Sequence, residues 1–319
     1  MVSRKVKQRK AVRVQVPFWT KCVLILSVAV MSFTFIIKAM QFASSGWPVG
    51  DAEIEEPIED EPEPELELEP IIEITAVDFQ PTIDAWVSSV GGRKGVIIYD
   101  LERDTVVGQY NADQKFSTAS LYKLFVVYEG YRRIQNGSLD PNTMAGVTGY
   151  NIQKCLDLAI RESHSPCAET IWKIIGRDDL NEIARNEFNI PDIIVSNLSA
   201  TPSEIMQIMK RFYEHPDIQD EALLAGIWDS FLNQPITIYN WRQGLPSGFS
   251  DKVLVYNKVG WNWDGEKWTI YDDAAILDFV AEERHFIVVV MTSGVAYQQI
   301  RNLGAQIEEA FYNQNVLKN

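Results

Sequence analysis

Cysteine and histidine are both scarce, with three of each in 319 residues. His164, His215 and His285 stand far apart, with no H-E-x-x-H pair and no Cys/His cluster, so no ligand set for a metal is in view. No glycine-rich phosphate loop follows a strand-like run, and the stretch from Gly244 to Gly248 lacks the G-x-S-x-G order of a nucleophile elbow. No cofactor is implied. Positive charge is short as well: 29 Lys and Arg against 44 Asp and Glu give a net charge of -15, which repels a phosphate backbone and excludes nucleic acid as a partner.

What charge there is lies unevenly. Arg4, Lys5, Lys7, Arg9, Lys10 and Arg13 precede an uncharged apolar run, residues 22–37, set between Lys21 and Lys38. With lysines that can snorkel and with Trp19 and Phe42 at its flanks, that run is expected to cross a membrane as one helix over residues 22–43. Positive flanks stay inside, so residues 1–21 form a cytoplasmic basic tail and everything after about Gly46 lies outside. A signal peptide cleaved near Ala43-Ser44-Ser45 is the rival reading. Residues 44–73 carry Glu-Pro and Glu-Leu pairs that repel one another and bury nothing, which predicts an extended spacer. Residues 74–319 remain for a folded domain, and a hydrophobic content of 46% is enough to give it a substantial core.

In that domain the pattern predicts a first helix over 81–90 and a hairpin of strands 95–101 and 105–109 around Glu102-Arg103-Asp104. Ser117 and Thr118 offer caps for a helix that carries Ser120 in its first turn and ends before Asn136-Gly137. Helices follow over 153–161, 166–175 and 178–188, and Thr201-Pro202-Ser203-Glu204 reads as a capping box for another, with Ile205, Met209 and Phe212 inward. Strands over 252–259, 268–279 and 286–291 and a helix over 296–312 close the chain. The order predicts an α+β fold: one antiparallel five-stranded sheet flanked by terminal helices, plus an all-helical lobe.

Ser120-Leu121-Tyr122-Lys123 places a hydroxyl and an amine one helical turn apart. A serine is a poor nucleophile until a neighbour takes its proton, and a lysine desolvated in a cleft can do so. The stretch Phe116-Ser117-Thr118-Ala119-Ser120-Leu121-Tyr122-Lys123 closely resembles the active-site helix start of class A β-lactamases and their penicillin-binding relatives. The resemblance runs in order over nearly the whole domain. Gly95 to Leu101 and Tyr110 to Asp113 precede the tetrad; Ser163-His164-Ser165 falls where the family has S-D-N; Arg242 to Gly248 leads to Lys258-Val259-Gly260, which stands for K-T-G.

The resemblance implies acyl transfer through Ser120, with Lys123 as its proton partner and Ser163 passing a proton to the leaving nitrogen. Lys258 would hold Ser163 in place and attract an anionic substrate group, and the N–H groups of Ser120 and Trp261 would form an oxyanion hole. Ser165, Lys258, Gly260 and Trp261 would line the substrate, a β-lactam or a peptidoglycan peptide. Three positions depart from the family. Ser165 replaces an asparagine and could simply cap the helix before Pro166; Val259 cannot donate the hydrogen bond of a hydroxyl; His164 replaces an aspartate and is read as structural. Between Asn186 and Thr201 the loop is shorter than the one that carries the family's deacylating glutamate, and Glu187 is the nearest carboxylate. Cys155 and Cys167 could bridge or remain separate buried thiols.

Three outcomes follow from that family: a β-lactam hydrolase, a D-alanyl peptidase, or a sensor that acylates and stays acylated. A non-catalytic scaffold that binds cell wall through aromatic residues 261–268 is the reading outside it.

Overall fold

The computed structural model describes residues 76–190, 198–237 and 239–316, all within the compact unit Ile71–Asn319. The expected basic tail, membrane helix and acidic spacer lie outside the described residues. Among those described, no helix is long and apolar enough to cross a membrane.

Helix α1 (Gln80–Ser89) leads into strands β1 (Arg93–Asp100) and β2 (Thr105–Tyr110), the expected hairpin. After the short β3 (Phe116–Ser117) come a 3-10 turn (Ala119–Leu121) and α2 (Tyr122–Gln135). The lobe continues with α3 (Ile152–Arg161), α4 (Ser165–Ile175), α5 (Arg177–Asn186), β4 (Ser199–Ala200), α6 (Pro202–Glu214) and α7 (Glu221–Leu232). Strands β5 (Val253–Trp263), β6 (Trp268–Phe279) and β7 (Arg284–Ser293) precede α8 (Tyr297–Val316). The sheet runs β2-β1-β7-β6-β5, each pairing antiparallel, so the first hairpin and the last three strands do join in one sheet.

Side chains alternate faces along a strand, and that period divides the core in two. Val96, Ile98, Ala275, Leu277, Phe286, Val288 and Val290 pack with Ile83 and Trp86 of α1 and with Ile300, Leu303, Ile307 and Phe311 of α8. Ile97, Ala274, Ile276, Ile287, Val289 and Met291 face the lobe. Because both faces are covered, the inner strands read as continuous apolar runs rather than as alternating ones. From Tyr122 to Tyr131 every residue of α2 is buried, which makes this helix the axis of the lobe and holds the turn before it rigidly.

Cys155 of α3 and Cys167 of α4 form a disulfide, which settles the alternative that spacing alone left open. The bond joins two fully buried positions with a sequence separation of 12. Closing a loop of that length is worth about 3 kcal/mol on chain-entropy grounds. The double variant Cys155→Ala/Cys167→Ala is therefore expected to lose about 3 kcal/mol in urea unfolding. An unchanged transition midpoint would rule out a stabilising bridge.

Three local expectations need correction. Ser120 sits in a 3-10 turn, not in the first turn of an α-helix, and neither Ser117 nor Thr118 caps α2 through its side chain. The cap before Pro166 is His164, whose Nδ1 accepts from the Cys167 N–H at 3.2 Å, so Ser165 is freed to point elsewhere. Strand β5 runs past Val259 to Trp263, because Trp261 and Asn262 find cross-strand partners in Tyr271 and Ile270. The capping box at Thr201 and Glu204 forms as expected.

Candidate active site

The turn that carries Ser120 is held from both sides. Phe116 and Ser117 pair with Ala200 and Ser199, and the Thr118 N–H donates to the Leu198 carbonyl at 2.8 Å. Ala119 then takes a left-handed φ of 41°, unusual outside glycine, and the Leu121 N–H closes the turn on the Thr118 carbonyl at 2.7 Å. Entry into α2 follows at once, so Lys123 lies one turn from Ser120 on the same side. Lys123 Nζ donates to Ser120 Oγ at 3.0 Å.

The other members come from three separate elements. Ser163, between α3 and α4, also adopts a left-handed backbone, with a φ of 55°. Lys123 Nζ reaches its carbonyl at 2.5 Å and its Oγ at 3.2 Å. Ser165 opens α4, and its Oγ accepts from the same ammonium at 3.0 Å. From β5, Lys258 Nζ donates to Ser163 Oγ at 2.8 Å and to the Val259 carbonyl at 2.7 Å. Two amines thus converge on one hydroxyl, and one of those amines also touches Ser120.

Electrostatics sharpen this arrangement. Lys123 is fully buried, and burial pushes its pKa down to about 7, against the partial opposing pull of the Glu169 carboxylate. Lys258 is equally enclosed; burial and then the neighbouring Lys123 charge hold its pKa well below the ordinary lysine value, with Asp273 opposing. Neither amine has a carboxylate in hydrogen-bond range among the described residues. An uncharged amine beside a serine hydroxyl is competent to accept its proton.

Gly260 and Trp261 serve the site differently. A Cβ at Gly260 would stand 2.5 Å from the Thr118 carbonyl oxygen and 2.9 Å from Leu121 Cγ, so only glycine lets β5 approach the Ser120 turn this closely. The Trp261 ring points into an aromatic cluster, packing edge-on with Tyr271 at 4.9 Å and Trp241 at 5.4 Å and stacking on Tyr297 at 6.0 Å. Any part it plays at Ser120 belongs to its backbone. Behind the strand, Asp273 accepts from Asn257 Nδ2 and from the Leu245 N–H, both at 2.9 Å. Burial raises its pKa to about 7. Arg242 donates to the Phe231 and Val255 carbonyls at 3.1 and 3.0 Å, and so pins α7 to β5.

Glu187 is not in this group. Both its oxygens engage Arg132, which lies twelve residues beyond Ser120, roughly 18 Å along a helix at about 1.5 Å per residue. Glu169 lines an open cavity of about 500 Å³ together with Tyr122, Trp172, Lys173, Arg177 and Leu198.

A serine-and-two-lysine centre between a helical lobe and the edge of an antiparallel sheet defines the class of S-x-x-K serine folds. The chain matches the model of the β-lactamase enzyme family over residues 78–314 and belongs to that family. No curated protein matches it. Among solved structures, an ancestral class A β-lactamase is 16% identical with a TM-score of 0.61, covering 73% of this chain and 100% of its own. β-Lactamases from Xanthomonas campestris and Chitinophaga pinensis give TM-scores of 0.62 and 0.61, both at 13% identity, covering 72% and 73% of this chain and 97% of theirs. The similarity extends to the fold, an α+β β-lactamase architecture.

Proposed function

We propose that this protein is a membrane-anchored, extracytoplasmic serine hydrolase that works through an acyl-Ser120 intermediate on a β-lactam or a D-alanyl-peptide-like amide. The observation that carries the reading is Lys123 Nζ at 3.0 Å from Ser120 Oγ, buried, and bonded onward to Ser163. Uncharged Lys123 takes the Ser120 proton as Oγ attacks the carbonyl carbon, and Ser163 Oγ relays a proton to the leaving nitrogen. Lys258, bonded to that hydroxyl, keeps it oriented and draws in an anionic substrate group. The N–H groups of Ser120 and Trp261 receive the developing oxyanion. Ser165 offers its hydroxyl to the substrate. Val259 offers none, which favours substrates that do not need a donor at that point. The anchoring rests on the basic flank and apolar run of residues 4–38, and membrane fractionation tests it.

Because the reactive form of Lys123 is the unprotonated one, acylation is expected to be slow below about pH 7, to rise through that value and to level off above it. Stopped-flow labelling with a fluorescent penicillin from pH 5 to pH 9 measures the profile. A rate that does not change over that range would take Lys123 out of the proton transfer.

The deciding experiment is intact-mass analysis after exposure to a fluorescent penicillin, with Ser120→Ala as control. A mass increase in wild type that is absent from Ser120→Ala supports the acyl-serine route. Labelling that survives in Ser120→Ala assigns the nucleophile elsewhere, and no labelling of either protein leaves an anchored cell-wall-binding scaffold as the better reading.

A further inference from the structure

We propose that the cavity between α6, α7 and the lobe-facing side of the sheet is a binding site for a small alkylammonium cation, separate from the Ser120 centre. The cavity measures about 420 Å³, within the range of about 300–1,000 Å³ usual for small-molecule sites. Tyr213 of α6, Trp228 of α7 and Tyr256 of β5 line it, with Ile276 and Asp278 of β6 and His285 of β7 forming the sheet side. Side chains alternate along a strand, so Ile276 and Asp278 continue the lobe-facing row of Ala274. Ala274 is the cross-strand partner of Lys258, and Asp278 stands four residues further along β6, about 13 Å at roughly 3.3 Å per residue. That distance keeps the cavity apart from the serine and its two amines.

The walls select a cation on two grounds. Three of them are aromatic rings, each half-buried and so open on one side, and the face of such a ring carries the negative lobe of its quadrupole. Trp228 and Tyr256 meet edge to face at 5.4 Å, which fixes the angle between two of the rings. The other ground is Asp278. Among the described residues its one ionic neighbour is His285, whose Nε2 stands 3.5 Å away, longer than an ordinary hydrogen bond. His285 is committed elsewhere: its Nδ1 lies 2.6 Å from Glu102 Oε1, so two carboxylates share one imidazole. His215, also on the wall, donates Nδ1 to the Ile218 carbonyl at 3.1 Å.

Negative charge is therefore in surplus here, and the rings feel it. After burial, the Asp278 charge is the next cause that raises the Tyr256 pKa, and with Glu102 it also raises that of Tyr213. A carboxylate that served only to tie β6 to β7 would make a shorter contact and be packed over, whereas Asp278 borders open space. An anion entering this space would meet that carboxylate, and a neutral molecule would leave its charge unanswered. A compact cation with alkyl groups answers the charge and covers the rings at once.

Calorimetric titration of the full-length protein with choline at pH 7 tests this, with dimethylbutanol as the uncharged isostere. Choline is expected to bind with a Kd on the order of 1 mM and the isostere at least about 10-fold more weakly. Asp278→Asn, which keeps the shape and removes the charge, and Trp228→Leu, which keeps an apolar wall, should each weaken choline by about 10-fold or more, with thermal melting to show that both fold. Ser120→Ala should bind choline as wild type does. A short-chain phosphatidylcholine distinguishes the source: binding of both ligands supports the site with the cation presented on a lipid headgroup, and binding of choline alone supports it with a free cation. Equal affinity for choline and its isostere, undiminished binding in folded Asp278→Asn, or loss of binding in Ser120→Ala would overturn the proposal, as would no heat of binding up to about 50 mM, far above the expected Kd.

Discussion

Lys123→Met is expected to slow acylation of Ser120 by about 10³-fold, in the middle of the range for losing a general base, while leaving the fold intact. Among the described residues, Lys123 is the one side chain hydrogen-bonded to Ser120 Oγ, so nothing stands ready to replace it. Methionine has nearly the same length and suits an enclosed site. It removes a buried amine whose charged form burial disfavours, and in exchange deprives the Ser163 carbonyl and the Ser120 and Ser165 hydroxyls of a donor. Those effects oppose, and stability measured by urea at pH 7 should change by no more than about 1–2 kcal/mol. The sign of the pH dependence follows from the pKa of Lys123 in the fold, lowered from the ordinary 10.5 to about 7. Between those values the unfolded chain binds more protons than the folded one, so stability rises with pH across that window. Lys258, lowered in the same direction, adds to the slope. The variant should show a shallower rise, and labelling at the wild-type rate would remove Lys123 from the chemistry.

That the tetrad could be read in sequence has a physical basis. Ser120 and Lys123 are neighbours on one turn, so their meeting is a local consequence of helical geometry. Lys258 and Ser163 meet only because β5 lies beside the lobe, a contact between residues 95 positions apart that composition and period do not encode. Family resemblance, not spacing, supplied that pairing. The sheet was legible because the strands β1 and β7 carry unbroken apolar runs, and β6 a long strand-like stretch interrupted by Asp272-Asp273, each bounded by turns. The limits of β5 were not, since the strand continues past Val259 only because Gly260 lets it pass close to the serine turn. His164 likewise gave no signal as a cap, because an imidazole nitrogen seldom fills that role. The Cys155–Cys167 bridge depended on two helices meeting, which spacing alone could not place.

Gly260→Val should nearly abolish acylation without touching any reacting group. The new Cβ would lie 2.5 Å from the Thr118 carbonyl oxygen and 3.2 Å from Asp272 Cβ, and its methyls would press further on Leu121, which is fully buried. None of these is the free end of a flexible side chain, so either β5 or the turn of residues 118–121 must move. β5 resists, paired to β6 from Val253 to Trp263 and pinned through Arg242 to Val255 and Phe231. The turn has fewer anchors: the Thr118–Leu198 bond, the short β3–β4 pair and the left-handed Ala119. Displacement should therefore fall on Ser120, and a shift of about 1 Å in a reacting atom can cost about 10²-fold in rate. Overpacking should lower stability by about 1–3 kcal/mol, leaving a folded protein in which rate and stability can be measured separately. Gly260→Ala, with one carbon where Val has three, should fall between the two. Normal labelling in folded Gly260→Val would mean that the closeness of β5 to the serine turn is not what positions Ser120.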